Sequence, residues 1–125
     1  MDLVPKIPAG RQFIHGYGDG GFRVAGRRWQ GSVLVFPDRT LAWPVATMTQ
    51  ATLETLAPVG ATPGEIELLL IGCGTTMALP SAALRAALKT RGVAVDAMDT
   101  GAACRTYNVL ASEGRPVAAA LIAVS

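Results

Sequence analysis

Two short stretches hold the residue types from which a binding site could be built: Gly72-Cys73-Gly74-Thr75-Thr76 and Asp99-Thr100-Gly101-Ala102-Ala103-Cys104-Arg105. Glycines at 72 and 74 let a backbone approach a ligand closely, and the hydroxyls of Thr75 and Thr76 can donate to it. A helix beginning near Gly101 would leave the first-turn amides of Gly101, Ala102 and Ala103 as unpaired donors. The pattern lacks the Gly-Lys-Ser/Thr ending of a phosphate-binding loop and is not a GxGxxG fingerprint. The chemistry it suggests is capture of a small anion or carboxylate. The candidate ligand-binding residues are Gly72, Cys73, Gly74, Thr75, Thr76, Asp99, Thr100, Gly101, Cys104 and Arg105.

Arg105 sharpens this reading. A cation in the first turn of a helix opposes the macrodipole at a cost of about 0.3 to 1 kcal/mol, so a compensating anion is expected there. That anion is either Asp99, closing the turn internally, or an external ligand. Cys104 occupies the same turn, where the dipole and the guanidinium would favour thiolate, and Cys73 lies on the neighbouring loop. Both thiols are equally consistent with small buried apolar residues. The one histidine, His15, falls in a distant strand as a structural hydrogen-bonding residue, with no Ser, Cys or Asp beside it to form a triad. No catalytic base is visible, so no residue is assigned a catalytic role.

Bulk properties exclude several other classes. The chain has 125 residues, of which 50% are hydrophobic and 16% charged, a composition that builds a packed core. Eleven basic and nine acidic residues leave a net charge of +2 without a basic stripe, which argues against nucleic-acid binding. Two cysteines outside any CxxC or CxxH spacing give no metal site, and no cofactor is implied. No apolar run is long enough to span a bilayer, and Met1-Asp2-Leu3-Val4-Pro5-Lys6 lacks the features of a signal peptide. The expected location is the cytoplasm.

The elements that must position these loops follow from periodicity. Residues 1 to 10, with Pro5, Pro8 and Gly10, read as a loose leader, and 11 to 125 as a single domain. From Gln12 the pattern is an antiparallel meander: Gln12 to Tyr17, Phe22 to Ala25, and Trp29 to Phe36, with Arg27 and Arg28 at the second turn. A helical turn or two is expected over Thr49 to Ala57. The second half alternates strand and helix: Ile66 to Ile71, Pro80 to Arg91, Val93 to Met98, Gly101 to Glu113 and Pro116 to Val124. That alternation implies parallel strands joined by right-handed crossovers. The fold expected is α/β: one three-layer domain with a mixed central sheet, parallel strands in its C-terminal half, helices on its faces and an N-terminal β meander. Both glycine-bearing loops would then lie at one sheet edge.

Several segments carry a resemblance. Gly31-Ser32-Val33-Leu34-Val35, Trp43-Pro44-Val45, Glu67 to Gly74, Met98 to Leu110 and Glu113-Gly114-Arg115 resemble the bacterial relatives of the mitochondrial NADH dehydrogenase (complex I) assembly factor 3. The match runs from about Phe13 to Val124, and Met98 to Leu110 is its most specific part. It implies a mixed α/β domain and a non-catalytic helper of membrane-complex assembly, with a protein partner and no cofactor. Cys73 departs from the family's glycine loop, where Thr is expected, so no role for it is carried over. Two function classes follow: an assembly or interaction factor, with an exposed apolar or aromatic patch, for instance near Trp29 or Trp43, and a small-anion binder or enzyme using the loops at 72–76 and 99–106.

Overall fold

The structure, a computed structural model, describes residues 11–125, so the leader expected at 1 to 10 lies outside the described residues. Strands β1 (Ile14–Gly18), β2 (Gly21–Val24) and β3 (Arg27–Gln30) form a three-stranded antiparallel sheet. Its two hairpins close through Asp19-Gly20 and Ala25-Gly26, each with both residues at positive φ. Such turns match the right-handed twist of the flanking strands. Arg27 and Arg28 therefore belong to the ladder, opposite Val24 and Arg23, and not to a turn as expected.

The strand expected from Trp29 to Phe36 is two strands in two sheets. Gly31, at φ 85°, breaks it, and the chain leaves β3 to enter β4 (Val33–Val35) of a five-stranded sheet. That sheet also contains β5 (Thr40–Ala42), β6 (Leu68–Gly72), β7 (Ala94–Met98) and β8 (Val117–Leu121), in the order β5-β4-β8-β6-β7. β6 pairs in parallel with both β7 and β8, while β4 pairs antiparallel with β5 and β8, so the sheet is mixed.

Two helices cover its faces. α1 (Ala82–Thr90) connects β6 to β7, and α2 (Thr100–Ser112) connects β7 to β8. The first connection moves outward from β6 and the second returns across it, so right-handed crossovers place the helices on opposite faces. Leu84 and Leu88 of α1 pack with Leu34, Leu69, Ile71, Ala118 and Ala120 on one face. On the other face, Tyr107 and Ala111 of α2 join Ile14, Phe22 and Val24 of the meander over Val33, Val35, Leu70 and Ala119. β8 is buried at all five positions because it is covered on both sides. Its three alanines leave room for the layers to approach closely.

Two local expectations fail for traceable reasons. Over 49–57 there is only a single 3-10 turn, Met48–Gln50, followed by irregular turns. Thr52 and Thr55 exchange side-chain bonds with each other's backbone amides, an arrangement that competes with helix. Pro80, expected in the first turn of α1, precedes the cap residue Ser81, whose Oγ accepts from the Leu84 amide at 3.1 Å.

Candidate functional site

Parallel pairing brings the C-terminal ends of β6, β7 and β8 to one edge, and the two glycine-bearing loops meet there. The Cys73 amide donates to the Met98 carbonyl at 2.8 Å, extending the ladder one residue past β6. The Thr100 amide donates to the Gly74 carbonyl, and the Thr100 hydroxyl accepts from the Gly74 amide, both at 2.9 Å. The same hydroxyl donates to the Ile122 carbonyl at 2.8 Å, and the Ile122 amide donates to the Gly72 carbonyl at 2.9 Å. Thr100, wholly buried, thus ties together the ends of β6 and β8 and the start of α2. A methyl-sized group at Gly72 would stand 3.0 Å from the Thr100 Cα and from the Leu121 side chain, which accounts for the glycine by close approach.

This closure uses most of the donors the sequence offered. Asp99 caps α2: its Oδ1 accepts from the Ala102 amide at 2.9 Å, and its carbonyl accepts from Ala103 at 2.9 Å. The expectation that the amides of Gly101, Ala102 and Ala103 stand unpaired is therefore corrected for two of the three. Gly101 itself is buried beneath the phenol of Tyr17, which reaches over from β1 and would collide with any side chain there. Tyr17 had no local signal in the sequence, because only the docking of the meander brings it to α2.

Arg105 is exposed, with its Nη1 near Gly101, and among the described residues it forms no ion pair or hydrogen bond. The internal Arg105 to Asp99 pair is absent among the described residues, and the Asp99 side chain serves instead as the cap of α2. Cys104 is buried, and desolvation pushes its thiol up to about 12, outweighing the opposing charge of Arg105. The dipole and guanidinium do not make it a thiolate. Cys73 is buried on the opposite face of the sheet, and its Sγ donates to the Ala78 carbonyl at 2.9 Å. The sheet lies between the two sulfurs.

The candidate residues thus divide. Cys73, Gly74, Thr75 and Thr76 line a cleft of about 390 Å³ shared with Thr47, Met48 and residues 122–125, whereas Asp99, Gly101, Cys104 and Arg105 do not reach it. The tryptophans do not form an exposed aromatic patch: Trp43 is 2% exposed, and Trp29 is half-buried under the Arg27 guanidinium, 4.3 Å from its ring. His15 is exposed, and its side chain makes no hydrogen bond among the described residues. No cluster of three or more His, Cys, Asp or Glu side chains suited to a metal occurs among them. No helix among them is long and apolar enough to cross a membrane.

Fold and edge together define a mixed α/β domain whose parallel half closes on itself through Thr100. A family described as a protein of unknown function (DUF498/DUF598) matches residues 14–122, and the chain belongs to it. It is 38% identical over 122 residues to an uncharacterised protein of Rhodobacter capsulatus, covering 96% of this chain and 93% of that one. It is 34% identical over 122 residues to the zebrafish (Danio rerio) NADH dehydrogenase [ubiquinone] 1 alpha subcomplex assembly factor 3, covering 98% of this chain and 70% of the relative. A crystal structure of an outer membrane protein from Bartonella henselae superposes with a TM-score of 0.86 at 39% identity, covering 93% of this chain and 98% of that one.

Proposed function

We propose that this chain is a non-catalytic assembly or interaction factor that acts by binding protein partners, with the assembly of a respiratory NADH dehydrogenase as the process it serves. The observation that carries this reading is the relation to complex I assembly factor 3 across 98% of the chain. The closed edge is consistent with it. Thr100 and Asp99 saturate donors that a catalytic pocket would leave for substrate, and the Cys104 thiol stays protonated at neutral pH. Chemical cross-linking in its own cells, followed by affinity purification and mass spectrometry, tests it. Respiratory-chain subunits or their assembly intermediates should be enriched over a tagged control. Equal recovery with the control would refute the reading.

A second reading rests on Arg105, an exposed cation beside the start of α2 with no ion pair or hydrogen bond among the described residues. In it, the first turn of α2 around Arg105 holds a small anion or carboxylate, apart from the cleft that 73–76 line. Thermal shift with phosphate and short carboxylates tests this, because a ligand at 100 times its dissociation constant adds about 2.7 kcal/mol of stability. The shift should vanish in Arg105→Ala. No shift in the unsubstituted protein excludes this reading.

A further inference from the structure

Of the four sheet edges, one is open and flanked by a groove. β5 has only three residues, with Pro37 and Pro44 on either side, and β3 presents exposed arginines, both devices that discourage strand addition. β1 is interrupted by a bulge between Ile14 and Gly16. β7 is different: it has five residues without proline, and among the described residues β6 is its sole strand neighbour. The Ala94 amide donates to Glu67 and the Met98 carbonyl accepts from Cys73, so these residues turn their backbone toward β6. In a parallel pair the intervening residues face the other way, which leaves the N–H and C=O of Val95 and Ala97 directed out of the sheet.

At the N-terminal end of this edge lies a groove of about 510 Å³, with Gly92 to Val95 on the strand side and Arg85 and Lys89 on the α1 side. Both cations are exposed and make no ion pair among the described residues. Glu67 lines the groove too, paired with neither, so the wall keeps net positive charge. Arg85 and Lys89 are four residues apart on a helix, about 6 Å along its axis. Alternate residues of an extended strand repeat at about 6.6 Å. The two spacings agree, so side chains at positions i and i+2 of an added strand would meet the two cations in turn.

We propose that this groove binds an extended segment of a partner protein, added as a sixth strand on the edge of β7 and carrying acidic side chains at alternate positions opposite Arg85 and Lys89. Backbone bonds to Val95 and Ala97 supply the docking, and the charges choose the segment. The aliphatic stems of the acidic side chains lie over the half-buried Val95. This deepens the interaction-factor reading and rests on it for the identity of the occupant as a protein.

The test titrates isotope-labelled protein with a nine-residue peptide alternating valine and glutamate, followed by NMR. The Val95 and Ala97 amides should shift and gain protection from hydrogen exchange. Val95→Pro, which removes an outward-facing N–H and no ladder bond, should abolish the effect. Arg85→Glu with Lys89→Glu should weaken binding roughly tenfold or more and admit a valine–lysine peptide instead. Shifts that map elsewhere, no shift at millimolar peptide, or binding indifferent to both variants would overturn the proposal. So would a concentration-dependent dimer lost in Val95→Pro, since the edge would then serve a second copy of this chain. Partners cross-linked equally by the unsubstituted protein and both variants would overturn the groove while leaving the interaction-factor reading standing. Peptide binding as described, with no partner recovered from cells, would do the reverse.

Discussion

Thr100 shows how a residue that looks like a ligand contact becomes part of the scaffold. Its hydroxyl accepts one backbone bond and donates another in a wholly buried position, so Thr100→Val leaves the Gly74 amide and the Ile122 carbonyl without partners. We expect a loss of about 2 to 6 kcal/mol in denaturant unfolding, from one buried and one part-buried group each costing roughly 1 to 3 kcal/mol. Cys104 gives a pH signature. Below about pH 8 its thiol is protonated in the folded and the unfolded chain alike, and pH has no leverage through it. Between an unfolded value of 9.0 and a folded value of about 12, the unfolded chain loses the proton and the native state keeps it, so stability falls as pH rises. Cys104→Ala should flatten that alkaline decline, read from melts between pH 8 and 11. Burial also predicts that neither cysteine alkylates quickly in the native protein at neutral pH. The residue types at this edge were legible in the sequence, but their commitments were not. Asp99 as a cap is a local pattern, whereas Tyr17 over Gly101 and Thr100 against Ile122 join positions far apart in the chain.

Among the elements, the parallel half was legible because continuous apolar runs such as Leu69, Leu70 and Ile71 have one physical use, burial on both faces of a covered sheet. The N-terminal half was less so. Trp29 to Phe36 reads as one strand by composition, yet Gly31 at positive φ turns the chain from one sheet into the other. The Ser32 side chain then accepts from the Ala123 amide at 3.0 Å, anchoring the crossing point to the end of β8. Nothing lies within 4 Å of a Cβ built at Gly31, so backbone strain alone should decide the effect of Gly31→Ala. We expect about 1 to 2 kcal/mol of destabilisation by chemical denaturation. A neutral outcome would mean that this crossing relaxes without cost. The segment over 49–57 departs from expectation for the opposite reason: good helix formers lose to local Thr side-chain bonds and to the Pro58 and Gly60 that follow.

On the scale of the molecule, the order β5-β4-β8-β6-β7 could not be read from the chain, because β8 inserts between strands distant from it in sequence. That insertion joins the antiparallel and parallel halves of the sheet and leaves β7 at an open edge. The aromatic docking patch expected near Trp29 or Trp43 is lost to burial and to the Arg27 stack, and the free edge with its basic groove takes its place as the surface for a partner. The central claim is that this chain works by aiding assembly and not by turning over a substrate. Its most direct test is the amount of fully assembled NADH dehydrogenase, measured on native gels by in-gel activity, in its own cells with the gene deleted. Re-expression of the unsubstituted protein and of the Val95→Pro form completes the comparison. The account predicts that the deletion lowers the assembled complex and accumulates partial intermediates, restored by the unsubstituted protein but not by Val95→Pro. Unchanged levels of the assembled complex after deletion would contradict it.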